Sequence, residues 1–291
     1  MEKDYTIRIT SGDGRHVLEL APDAPCRLLA GGLTGFDCTG LDVSIRPYAS
    51  SHGGYPEKRR FMEREMGLYF EIDANPDETE AIRRRIVSMM DPTKTCEIDA
   101  EIYGTHRKIS VIPCGEALFM RETMYDRPEV SLEFIAPDVF FRAAEPVEVV
   151  FRDPVTLLTA PFSFLKGAGM TAGIFRTAST ASLINEGDAD CGIVMEITAD
   201  GGSIVNPGIR CGADGAFVRC PLTLADGDTL VIDTRDRQKS IYKNGARWTA
   251  FDRHSRFFRL PPGKHTVSVT CDDGEEYIRA KISYVPLYFG I

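Results

Sequence analysis

The sequence predicts a mainly β protein in two halves: an α+β N-terminal half with one helix, and a C-terminal β-sandwich. Three observations carry the prediction. From Leu183 to Thr270, short runs of β-type residues with partial alternation recur about every ten residues. Turn signals separate them: Glu186-Gly187-Asp188, Asp200-Gly201-Gly202, Asp214-Gly215, Asp226-Gly227-Asp228, Asn244-Gly245 and Pro261-Pro262-Gly263. Strands at that spacing, so punctuated, are the pattern of an antiparallel sandwich. The third observation is one segment in the first half with helical periodicity and a signal at each end. Domains over residues 1–145 and 146–291 are expected, each long enough to bury a core.

Taken in order, residues 4–10 and 16–20 read as two short strands around Gly12-Asp13-Gly14. The Gly-rich stretch Ala30–Phe36 has no GxGxxG and no following helix, so it is not read as a phosphate loop. Leu41–Ile45 alternates as a strand, residues 49–58 read as a surface loop, and Phe61–Ile72 as one long strand. Asn75 then offers an N-cap, Pro76 suits the first helical position, and Glu78 completes a capping-box-like pattern. Ile82, Ile86, Met89 and Met90 fall on one helical face, and Asp91-Pro92 stops the helix. Arg83, Arg84 and Arg85 read as a solvated face. Strands follow at 96–103, 107–112, 118–125 and 130–135, and Phe140–Pro154 reads as a connector.

The chain has 291 residues, 43% hydrophobic and 26% charged, with a net charge of −9. An acidic surface argues against gripping nucleic acid, which takes clustered Lys and Arg. No apolar run approaches the roughly 18 residues of a membrane-spanning helix. The start, MEKDYTIRIT, has no apolar signal segment, so synthesis in the cytoplasm is expected. Eight cysteines form neither CxxC nor a zinc-finger spacing and read as small buried hydrophobes.

No catalytic, cofactor or metal constellation is legible. Asp252, His254 and Ser255 lie within one short segment, whereas triad members come from separate segments. Gly167–Gly173 lacks the surrounding βαβ unit of a dinucleotide loop and reads as a flexible hairpin. Asp226, Asp228 and Asp233 do not match a calcium-loop spacing. The acidic stretch Asp272–Glu276 reads as a solvated turn. Trp248, the one tryptophan, with Tyr242 nearby, is the candidate carbohydrate contact; a Trp on a β-surface also serves as core or interface packing.

The motifs in their order resemble the distal tail protein family of siphovirus-type phages and prophages. In the first half they are Ser51-His52-Gly53, Arg59-Arg60, Met89-Met90-Asp91-Pro92 and the closing Phe134–Phe141, where Val139 departs from the family's usual Pro. In the second half they are Asn185–Asp188, Leu224–Thr234, Asn244-Gly245, Leu260–His265 (with His265 in place of Asn), Ile282-Ser283-Tyr284 and Tyr288–Ile291. The resemblance implies a hexameric ring at the virion tail tip. Its N-terminal domain would surround a DNA channel, and its C-terminal domain would be a galectin-like or jelly-roll sandwich. The implied partners are the tail tube, a tail-lysin or fibre and a receptor-binding protein. It implies no enzyme activity, no cofactor and no membrane. In such a ring, neighbours would cap the edge strands of the first half. A two-domain carbohydrate-binding or adhesin-like protein is the alternative.

Overall fold

The computed structural model describes residues 5–121, 123, 126–156, 173–177, 180–212 and 214–291, with main chain alone for 152–156 and 173–177. The chain divides into two compact units: Met1–Ala144 with Leu287–Ile291, and Glu145–Pro286.

In unit 1 the elements are β1 (Tyr5–Ser11), β2 (Val17–Leu20), β3 (Cys26–Thr34), β4 (Leu41–Pro47), β5 (Gly54–Phe61), β6 (Arg64–Ile72), α1 (Pro76–Met89), β7 (Cys96–Ile102), β8 (Thr105–Met120), β9 (Glu129–Ala136) and β10 (Phe141–Ala143). Alternation decides which face goes inward. Ile7 and Ile9 of β1, Met66, Leu68, Phe70 and Ile72 of β6, and Val130, Leu132 and Phe134 of β9 all bury. Neighbouring strands run β8-β7-β1-β2-β3-β6-β9, and β9 returns to β8, so seven strands close into a barrel. Closure depends on the length of β8. Its first part pairs with β7 from Thr105 to Val111, and its second with β9 from Ile112 to Met120. A register shift between Cys114 and Leu118 turns the strand from one neighbour to the other, as bulges do at barrel corners. The strand read at 107–112 and the start of the one read at 118–125 are thus parts of one bent strand, which ends at Met120.

Helix α1 starts as its sequence dictates. The Asn75 side chain accepts from the Glu78 N–H, Pro76 opens the first turn, and Thr79, Ile82, Ile86 and Met89 face the core. Two other expectations change. The span Phe61–Ile72 contains the end of β5 and all of β6, while β5 takes up much of the expected 49–58 loop. The Gly-rich stretch lies largely within β3, where a bulge falls between Leu28 and Leu33.

Unit 2 holds β11 (Val147–Val150), β12 (Arg152–Thr156), β13 (Gly173–Thr177), β14 (Thr180–Asn185), β15 (Ile193–Ala199), β16 (Ile204–Val205), β17 (Gly208–Cys211), β18 (Phe217–Arg219), β19 (Thr223–Leu224), β20 (Thr229–Asp233), β21 (Ser240–Lys243), β22 (Ala246–Trp248), β23 (Gly263–Thr270) and β24 (Ile278–Tyr284). The expected connector therefore contains β10, β11 and the start of β12. A six-stranded sheet, β11-β24-β15-β20-β21-β22, and a four-stranded sheet, β14-β23-β17-β18, make the sandwich. Each buries one face: Ile193, Met195, Ile197 and Ile282 on the first, Ile209, Cys211, Val267 and Val269 on the second. The Tyr284 hydroxyl bridges the sheets, donating to the Ile184 carbonyl at 2.9 Å. Asn244 (φ 50°) and Gly245 (φ 78°) form the β21–β22 turn in left-handed geometry, the conformation that an Asn-Gly hairpin takes. Residues 167–172 of the expected Gly-rich hairpin lie outside the described residues.

The last strand, β25 (Leu287–Tyr288), pairs with β10 in unit 1. Arg64, fully buried at the start of β6, holds this terminus. Its guanidinium donates to the carbonyls of Gly35 (2.6 Å), Val139 (2.9 Å), Asp37 (3.0 Å) and Phe289. Arg107 stacks on Tyr288, 3.5 Å from the ring centroid, and donates to the Gly290 carbonyl. Phe289 joins Phe61 and Phe140 in an aromatic cluster.

Candidate functional site

The surface of unit 1 is unusual at β4 and β5. Among the described residues these strands pair only with each other, over Leu41↔Phe61 to Pro47↔Gly54. Period two places Leu41, Val43 and Ile45 on one face, and that face is open: the three are 61%, 53% and 64% exposed. The opposite face is charged and internally paired. Asp42 binds Lys58 at 2.6 Å and Arg60 at 2.9 Å, and Arg46 meets Glu57 at 3.5 Å. Those partners pull the Asp42 carboxyl below its ordinary pKa, the Lys58 hydrogen bond first. Tyr48 and Tyr55 pack together near the tip, centroids 5.9 Å apart. A two-stranded ribbon is marginally stable alone in water, so the apolar stripe on this one is a candidate contact surface.

Seven strands of unit 1 pair in a closed round, so among the described residues its unpaired strand edges lie at β25 and on the β4–β5 hairpin. In α1, Arg84 pairs with Glu80 at 2.9 Å, Arg85 donates to the Val17 carbonyl at 3.1 Å, and Arg83 lies over the Phe119 ring. Two of these three arginines thus tie the helix to the barrel.

In unit 2, register separates the two candidate sugar contacts. Ile241 opposes Trp248, and Tyr242 opposes Arg247. Trp248 therefore shares the face of buried Ile241, and Tyr242 the other face. The Trp248 ring N–H is occupied by the Ala250 carbonyl at 2.7 Å. The acidic residues serve turns. Asp226 accepts from the Gly201 N–H, and Asp233 pairs with Arg235. Asp228 accepts from the Asn244 side chain and the Ala225 N–H and pairs with Lys243, which together hold its carboxyl at about 2. Among the described residues no group of three or more His, Cys, Asp or Glu is placed to hold a metal ion. Burial pushes the thiols of Cys26, Cys191 and Cys220 up to about 12, which keeps them protonated. His254 Nδ1 lies 3.2 Å from Asp252 Oδ1, while Ser255 Oγ accepts from the Arg219 N–H at 3.0 Å. Asp272 is not a free solvated turn residue: Asn206 and Arg219 both donate to it.

Residues 186–288 match the model of the siphovirus-type tail component, C-terminal domain. The resemblance read from motifs along the chain is therefore met where its motifs are densest. Among solved structures, the SPP1 Dit (gp 19.1) protein, described as a paradigm of the hub adsorption apparatus in phages infecting Gram-positive hosts, is 14% identical. The alignment has a TM-score of 0.66 and covers 97% of this chain and 98% of that one. The mainly β fold of that protein is thus shared over nearly the whole chain. A chain of the phage P2 baseplate, in its activated conformation with Ca, aligns at 11% identity and a TM-score of 0.48, covering 98% of each chain. No curated protein matches the sequence.

Proposed function

We propose that this chain is a structural component of a phage tail and assembles as a closed, hexameric ring at the tail tip. The ring joins the tail tube to the host-recognition and tail-lysin apparatus and lets DNA through. The observation that carries the proposal is the β4–β5 hairpin, whose Leu41, Val43 and Ile45 face remains in water in a single chain. A head-to-tail contact repeated around an axis closes a ring, and a ribbon projecting from each barrel onto the next supplies such a contact. The full-length fold shared with SPP1 Dit, a hub protein by its description, supports the same role. The net charge of −9 suits a passage that does not grip phosphates. The work of the ring is geometric and non-enzymatic.

Light scattering at several concentrations, with negative-stain imaging of the same sample, tests the proposal. A mass near six chains with annular particles is expected, and Val43→Glu should yield monomers that keep their fold. A wild-type chain that stays monomeric in the presence of its tail-tube and tail-lysin partners would overturn the ring.

A further inference from the structure

The loop between β22 and β23 holds an aromatic ring in water. Phe251 is 42% exposed, although Phe257 packs against it edge-on with centroids 6.0 Å apart. The loop is not free. The Asp252 N–H donates to the Arg219 carbonyl at 2.9 Å and the Arg256 N–H to the Phe217 carbonyl at 2.8 Å, which ties the loop along β18. Phe251 therefore stands on an ordered platform.

Beside it opens a pocket of ≈ 440 Å³ whose lining includes Asn206, Arg219, Asp252, Arg253 and His254. These side chains converge from three separate parts of the chain, and most are already oriented. On one side Asn206 donates to Asp272 Oδ2 at 2.7 Å, and Arg219 donates to the same oxygen. On the other, Asp252 Oδ1 accepts from the His254 N–H at 2.7 Å. Arg253 forms no ion pair among the described residues. The guanidinium and carboxylate groups retain donor and acceptor capacity beyond these bonds.

A ligand that suits this pocket must offer hydroxyls that both donate and accept, and an apolar face for the phenyl ring. The volume lies in the usual range of small-molecule pockets, about 300–1,000 Å³. We propose that the pocket binds a saccharide, one ring of which stacks on Phe251 while Asn206, Arg219, Asp252 and His254 take its hydroxyls. Arg253 receives a carboxylate or phosphate substituent where the sugar carries one. The site lies within unit 2, so it does not depend on ring assembly, and a monomer binds as a ring does. It also differs from the Trp248 and Tyr242 pair, which the sheet register holds apart.

The test is a glycan array probed with the full chain, followed by calorimetric titration of the best neutral and the best charged saccharide. Phe251→Ala and Phe251→Leu should each weaken binding about tenfold, the scale of one aromatic contact. The leucine variant retains apolar volume, and a thermal melt confirms that both variants fold. Arg253→Ala should weaken the charged saccharide and leave the neutral one unchanged. Trp248→Ala should change neither by more than about twofold. The site is overturned if no saccharide on the array binds, or if binding survives both Phe251 variants. Binding lost on Trp248→Ala but kept in the Phe251 variants would also overturn it.

Discussion

Removing Leu287–Ile291 should destabilise unit 1, although most of that unit lies far away in sequence. Arg64 is a buried cation whose partners are main-chain carbonyls, one of them from Phe289. Burial alone lowers the pKa of its guanidinium. A hydrogen bond to a charged group contributes about 1.5–3 kcal/mol, and an emptied partner leaves part of the charge desolvated. Loss of the half-buried Phe289 ring from its cluster adds about 1–2 kcal/mol. The total is about 3–5 kcal/mol. At about 2–4 °C per kcal/mol for a unit of this size, melting should fall by about 6–20 °C. Calorimetry gives the melting temperatures, and the fluorescence of Trp248, the single tryptophan, marks the unit 2 transition separately. In the truncated chain Arg64→Met should cost less than in the full chain, because the two changes share one interaction. A shift of unit 1 below about 2 °C, or additive effects of the two changes, would refute the clasp.

Other expectations test separate elements. Asn75→Ala removes the side chain that accepts from the Glu78 N–H and should cost about 1 kcal/mol, read by denaturant titration. Gly274→Ala puts a Cβ against the Ser203 carbonyl at φ 85°. It should cost at least about 1–2 kcal/mol, seen as an earlier transition in Trp248 fluorescence. The Asp228 carboxyl is held at about 2, below the unfolded value of about 4. Its contribution is therefore fully present above about pH 4 and is lost as the pH falls towards 2. Asp228→Asn should flatten that part of the acid-unfolding curve, and an unchanged curve would count against the turn network. Reagents for accessible thiols should label exposed Cys38 and leave Cys26, Cys191 and Cys220 unmodified until the chain unfolds.

Sequence and structure agree where the signal is local. Helix α1 begins where Asn75, Pro76 and Glu78 say, because capping is satisfied within four residues. The Asn244-Gly245 turn needs only its own dihedrals. Arg64 was half-legible: it falls in phase with Met66, Leu68, Phe70 and Ile72, so alternation alone points it inward. Nothing local names its acceptors, which lie 27 to 225 residues away. The pocket beside Phe251 is not legible in the sequence for a related reason: Phe251, Arg219 and Asn206 meet only because the β22–β23 loop is tied along β18.

The sequence by itself determined the strand-rich composition, the single α-helix, most turn positions and which face of each strand is apolar, since all depend on neighbours a few residues apart. The tertiary structure decided barrel closure through the bend in β8, because closure joins strand edges that no short-range pattern pairs. It also decided which apolar face is left without a cover. Leu41, Val43 and Ile45 alternate in sequence just as Met66, Leu68 and Phe70 do. Only the packing shows that the second set meets a core while the first faces water.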